Sequence, residues 1–145
     1  MTEPAVVAVA RILHDAAVGV YSPNTPILAN AVPISISGFT STHARGIVVT
    51  TYAGGTPPDS REDDEFPRLQ VRVRAESPLD GLDLERATWL ALQFRVGGPV
   101  PRVVGEWWVQ DIHAIQSEAE PLGRDDAGRW EFVRNYQLHL NPETP

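Results

Sequence analysis

The residues able to do chemistry are His14, His43, His113 and His139, with scattered serines and acids. A metal site gathers such groups at short, face-sharing spacings; no two of these histidines stand two or four apart, and no acid lies at a ligand spacing. Ser41 and His43 are two residues apart. Their segment, Ile-Ser-Ile-Ser-Gly-Phe-Thr-Ser-Thr-His, lacks the elbow that presents a serine nucleophile, and His43 reads as a surface residue. Ala53-Gly54-Gly55-Thr56 has neither the lysine nor the following helix of a phosphate loop. The chain contains no cysteine, which excludes disulfides, thiolate metal sites and a cysteine nucleophile. The acid pairs Asp63-Asp64 and Asp125-Asp126 fall in expected loops, whereas paired catalytic carboxylates work in clefts. With these roles unfilled, the reading is of a protein that is not an enzyme and takes no cofactor.

The elements that would carry these groups fit one domain over residues 1–145, a length that can bury a real core. No apolar run approaches the roughly 20 residues of a membrane span. The acid and internal charge of MTEPAVVAVARILHD do not suit a secretory signal. Net charge is −7, which argues against a broad phosphate-neutralising surface. All 12 basic residues are arginines, whose planar fork suits fixed ion pairs.

Apolar spacing at Val6, Val9, Leu13 and Ala16 or Ala17, with Ile12 widening the stripe, predicts a helix over residues 4–18, with Thr2 as N-cap and Gly19 as stop. A short strand is expected over Ile34–Gly38 and a second over Ile47–Tyr52, ended by Gly54-Gly55. Residues 56–67, acidic and proline-flanked, read as an exposed loop. In PRLQVRVRA, Leu69, Val71, Val73 and Ala75 alternate with Arg68, Gln70, Arg72 and Arg74, implying a sheet covered on one side only. Ser77-Pro78 with Asp80 forms a capping box for a helix from Pro78 to Val96. Its core stripe is expected at Leu84, Ala87, Ala91 and Phe94, with Leu90 alongside. Gly81 weakens its first turn enough that the start could slip to Asp83. Residues 106–116 and a last strand with Trp130, Phe132, Tyr136, Leu138 and Leu140 on one face complete the set, Arg134 interrupting that face. Asp126-Ala127-Gly128 supplies a hairpin turn, with a bulge near Glu120-Pro121. The fold class is α+β: a largely antiparallel sheet of about four to five strands with two helices packed on one face.

Two groups of residues stand out as a contact surface. The row Arg68, Arg72 and Arg74 needs compensation, and carboxylates of a neighbouring subunit would match its forks. Asp125 and Arg129 flank the turn, where aspartate accepts backbone N–H bonds and arginine pairs with acids. The loop acids Asp59, Glu62, Asp63, Asp64 and Glu65 form a second, acidic group.

The stretch PLGRDDAGRWEFVRNYQLHL resembles the C-terminal signature of the tail terminator and minor capsid proteins of long-tailed bacteriophages. Gly123, Arg124, Asp125, Gly128, Arg129, Glu131, Phe132, Asn135 and Tyr136 carry the pattern. Arg68, Gln70, Arg72 and Arg74 after a Pro-Asp loop, and Gly19 to Tyr21 after the first helix, extend it. The resemblance implies a structural protein of the virion tail or neck, assembled in the host cytoplasm. It implies a homo-hexameric ring at the head-proximal end of the tail tube. The ring would stop tube growth, dock the head connector or head-closure protein and let DNA pass in transit; within it, the loop acids Asp59, Glu62, Asp63, Asp64 and Glu65 would meet the arginine row of the next subunit or face the hole and repel DNA phosphates. Its partners are then copies of itself, the major tail tube protein and that connector, with no membrane and no specific nucleic-acid binding. The alternative is another neck component, such as a tail completion or head-closure protein.

Overall fold

A computed structural model describes residues 3–59, 64–93 and 101–142; of residues 53–59 only the backbone is described. The element order is α1 (Ala5–Asp15), β1 (Ile34–Ser35), β2 (Gly46–Asp59), β3 (Asp64–Ala75), α2 (Pro78–Leu92), β4 (Arg102–Val104), β5 (Trp107–Ala114), β6 (Glu120–Arg124) and β7 (Trp130–Pro142).

The α+β class is as expected, but the sheet is larger and mixed. Among the described residues it has seven strands, in the order β1-β2-β3-β7-β5-β4 with β6 also on β7, and β1 runs parallel to β2. The added strands are β4 and β6, of three and five residues. Pro121 and Gly123 hide β6 from propensity reasoning. Strand β7 organises the sheet. One side pairs along β3; the other pairs first with β6 and then with β5.

On the helix-facing side, Leu69, Val71 and Val73 of β3 and Phe132, Tyr136, Leu138 and Leu140 of β7 join Ile12 and Leu13 of α1 and Leu84 and Leu92 of α2 in one buried cluster. Both helices thus lie on one face. Arg134 shares that face for a reason invisible in the pattern: its Nε lies 2.8 Å from Glu85 Oε1 and an Nη donates to Oε2 at 3.1 Å, both side chains being buried. Burial lifts the Glu85 carboxyl above its ordinary value, against the pull of Arg134.

Several local expectations change. Thr2, expected as the cap of α1, lies outside the described residues; the N-cap position is Pro4, without a side-chain bond. Helix α1 stops at Asp15, before Gly19. Ala17 takes the left-handed conformation, φ 60°, while Val18 N–H donates to Leu13 O and Ala17 N–H to His14 O, closing a Schellman-type end. Gly19 serves close approach instead: a Cβ there would stand 2.7 Å from Val32 O. Helix α2 starts at Pro78 with Ser77 Oγ accepting from Asp80 N–H at 3.2 Å, so its start does not slip to Asp83. Gly81 lets the helix rest on Phe132, whose ring would be 2.6 Å from an added Cβ. The helix ends at Leu92, and Phe94 and Val96 lie outside the described residues. Its buried stripe is Leu84, Glu85, Thr88, Ala91 and Leu92, rotated away from Ala87 and Leu90, because Glu85 must face Arg134. Gly54-Gly55 does not end β2, and most of the expected loop 56–67 is strand, accommodated by register shifts between Tyr52 and Thr56 and between Thr56 and Asp59.

Candidate interaction surface

The face of the sheet away from the helices carries the arginine row. Cross-strand register sets Arg68 opposite Gln137, Arg72 opposite Val133 and Arg74 opposite Glu131. Compensation for these charges comes from the chain itself. Arg72 pairs with Glu131, and Arg68 Nε donates to Gln137 Oε1 at 3.2 Å. Gln137 is fixed in turn by donating to Phe66 O at 2.8 Å.

Arg74 is buried, 6% exposed, beneath the segment that follows β1. Its guanidinium donates to Thr40 O and to His43 O and lies 4.5 Å from the centroid of the Phe39 ring. Asp125 Oδ2 is 3.9 Å away. Burial, and then the positive charge of Arg129, hold its pKa below the ordinary arginine value, while Asp125 and Glu131 act the other way. On the same face Val48 and Val133 are only 2% and 3% exposed, so the outer face is partly covered and not open throughout as the strand pattern suggested. Phe39 also contacts Gly46, where a Cβ would stand 3.1 Å from its ring.

The hairpin tip forms as its residues predict. Gly128 has φ +80°, and Asp125 Oδ1 accepts from Ala127 N–H at 3.0 Å and Arg129 N–H at 2.8 Å. The Arg129 N–H, then that of Ala127, and then the charges of Arg129 and Arg74 hold the Asp125 carboxyl below its ordinary value, against its partial desolvation. Arg129 reaches across to His43 O at 3.2 Å and Ser41 O at 3.1 Å. Three expected surface residues, Arg74, Asp125 and Arg129, therefore meet around one segment. With Phe39, Ser41 and Asp126 they line a cleft of about 310 Å³.

His43 was expected at the surface and is buried, 8% exposed. Its Nδ1 meets Thr40 Oγ1 at 2.8 Å, and its Nε2 meets Leu28 O at 3.0 Å. One tautomer satisfies both, Nε2 donating and Nδ1 accepting. The imidazole is thus committed to structure, and the Ser41 carbonyl, not its hydroxyl, takes part in the cluster. Phe39, His43, Glu131 and Gln137 are the members that sequence reasoning missed. A lone aromatic inside a polar segment was the one available signal, at Phe39.

Of the acidic set, Asp64 opens β3, its Oδ2 3.1 Å from Nε2 of His139, whose ring stacks on Phe66 with centroids 4.6 Å apart. Glu65 pairs in register with Leu140, and Asp59 ends β2 opposite Asp64. Glu62 and Asp63 lie outside the described residues. Asp59, Asp64 and Glu65 therefore lie at the end of β2 and the start of β3. Among the described residues no cluster of histidine and acid side chains could hold a metal ion, and no helix is long and apolar enough to cross a membrane.

Fold and surface define an α+β scaffold whose outer face is braced by the chain's own side chains. A family model described as "Bacteriophage tail terminator protein" matches residues 12–142, and the chain belongs to that family. It is thereby a structural protein, and the family implies a component of the virion tail. No curated protein matches the chain.

Proposed function

We propose that the protein caps the head-proximal end of the tail tube as a homo-hexameric ring. The ring stops tube polymerisation, offers the docking surface for the head connector and leaves a hole for DNA. The family match over residues 12–142, from within α1 to the end of β7, carries this reading. The outer face supports it. Arg68, Arg72 and Arg129 are partly exposed there, while Arg74 and Asp125 brace the segment between them. A rigid, charged and partly desolvated face suits repeated docking, because little side-chain freedom remains to be lost on contact. Asp59, Asp64 and Glu65 at the facing ends of β2 and β3, with Glu62 and Asp63 between them in sequence, would supply negative charge for the adjacent subunit or for the channel wall.

Electron microscopy of phage tails tests this. Particles lacking the protein should show tubes of uncontrolled length without heads, and adding the protein back should restore both length and joining. The variant Arg72→Glu should restore them poorly, since it sets two negative charges together at Glu131. Tubes of normal length in its absence would refute the terminator role and favour another neck function.

A further inference from the structure

The charges around the cleft at the hairpin tip do not balance. Glu131 is committed to Arg72, so Arg74 and Arg129 have one partly buried carboxylate between them, that of Asp125. Its Oδ1 already accepts from the Ala127 and Arg129 N–H groups, and its Oδ2 stays 3.9 Å from Arg74 Nη1, beyond hydrogen-bond distance. Asp126 stands at the cleft in an exposed position, where water screens its charge.

Donors are left over as well. Arg74 spends Nη2 on Thr40 O and His43 O, but its Nε is enclosed without a hydrogen bond among the described residues. Arg129 spends Nη1 on His43 O and Nη2 on Ser41 O, neutral acceptors that leave its charge uncompensated. The charge of Arg129 acts against that of Arg74, and an anion placed between them relieves both. An enclosed donor without an acceptor is where an acceptor from outside gains most.

That acceptor suits a carboxylate better than a phosphate. A carboxylate is planar and carries one charge, which matches the in-plane N–H donors of arginine. A nucleic-acid strand would bring a row of phosphates past Asp126 to a chain of net charge −7. The chain itself is rich in carboxylates, with 19 acids against 12 bases, and in a head-to-tail ring each copy offers both halves of a contact. We propose that the cleft between Phe39 and the β6–β7 turn is a socket for one aspartate or glutamate side chain of a second copy, held by Arg74 and Arg129. The inference rests on the ring reading and adds the point at which neighbouring subunits lock.

Acetate is the first probe. In the dilute full chain it should move the Arg74 Nε–H signal saturably, at least about threefold further than sodium chloride of equal ionic strength. Equal movement overturns the socket, and a short DNA duplex that displaces acetate overturns it in favour of phosphate. Ser41 lines the cleft, so Ser41→Glu supplies a carboxylate from its own wall and Ser41→Gln the same length without charge. Ser41→Glu should abolish the acetate response and restore tail length at least about tenfold less efficiently than Ser41→Gln. Tails completed equally well by both variants overturn the contact and leave the terminator reading standing. Because every basic residue is arginine, Ser41→Lys treated with a carbodiimide in assembled tails reports the donor. An amide to an acid of a second copy is expected; amides confined to its own chain or to the tube protein overturn the proposal. Tubes of normal length without the protein sink the terminator reading and this contact with it.

Discussion

At the scale of single residues, the buried charges among the described residues, Arg74, Glu85 and Arg134, are stabilised by partners within the chain. Arg134 and Glu85 are the clearest pair, both buried where α2 meets β7, with the Trp89 ring centroid 5.5 Å from the Arg134 guanidinium. Removing one partner strands the other. Arg134→Ala should lower unfolding free energy by about 3–5 kcal/mol in denaturant titration. The double change Arg134→Met with Glu85→Leu should recover most of the loss, because two apolar groups of similar size replace two desolvated charges. Equal losses in both variants would show that packing, not charge, dominates there. Asp125 has the opposite character. Its carboxyl is held below the ordinary 3.8, so its contribution is fully present above that value and is lost as pH falls through the lowered one. Asp125→Asn keeps an oxygen for the Ala127 and Arg129 N–H groups but cannot titrate. Its stability should therefore fall less steeply below pH 3.8 than that of the unmodified protein; parallel acid limbs would contradict this.

At the scale of elements, the junction of α2 with β7 depends on Gly81. A methyl group would enter the space of the Phe132 ring, and helix and strand are both tied at their ends, so neither can retreat freely. Gly81→Ala should destabilise by about 1–3 kcal/mol despite its better helix propensity. Phe132→Leu in the same chain should reduce that penalty, which a double-mutant cycle would read as coupling. Helix propensity alone forecasts the reverse sign. Asn135 stands in mid-strand without a local cause, and its backbone makes the bonds at that point. It sits where β7 changes partner, its N–H bonded to Gln116 Oε1 at 2.9 Å and its C=O to Ile115 N–H at 2.8 Å. These two bonds bridge the gap between β6 and β5.

At the scale of the whole molecule, alternation and capping are local properties, and they were legible. The faces of β3, the Ser77 cap, the Gly128 turn and both helices follow from period, side-chain reach and backbone conformation within a few residues. The family resemblance rested on the same local runs, and the match over residues 12–142 agrees with it. What the chain alone could not reveal is pairing between distant groups. Arg74 looks like a solvent-facing arginine until Thr40 and His43, more than 30 positions earlier, are brought over it. His43 looks like surface until Leu28 O meets its ring, and the rotated stripe of α2 makes sense only once Glu85 has Arg134 to face. The seventh strand likewise depends on where separate segments meet. Sequence thus determined which backbone each stretch prefers and which side of it is apolar, because those preferences are settled within a turn or a strand. Tertiary structure decided which charges are buried and which strands pair, because both depend on neighbours that only folding supplies.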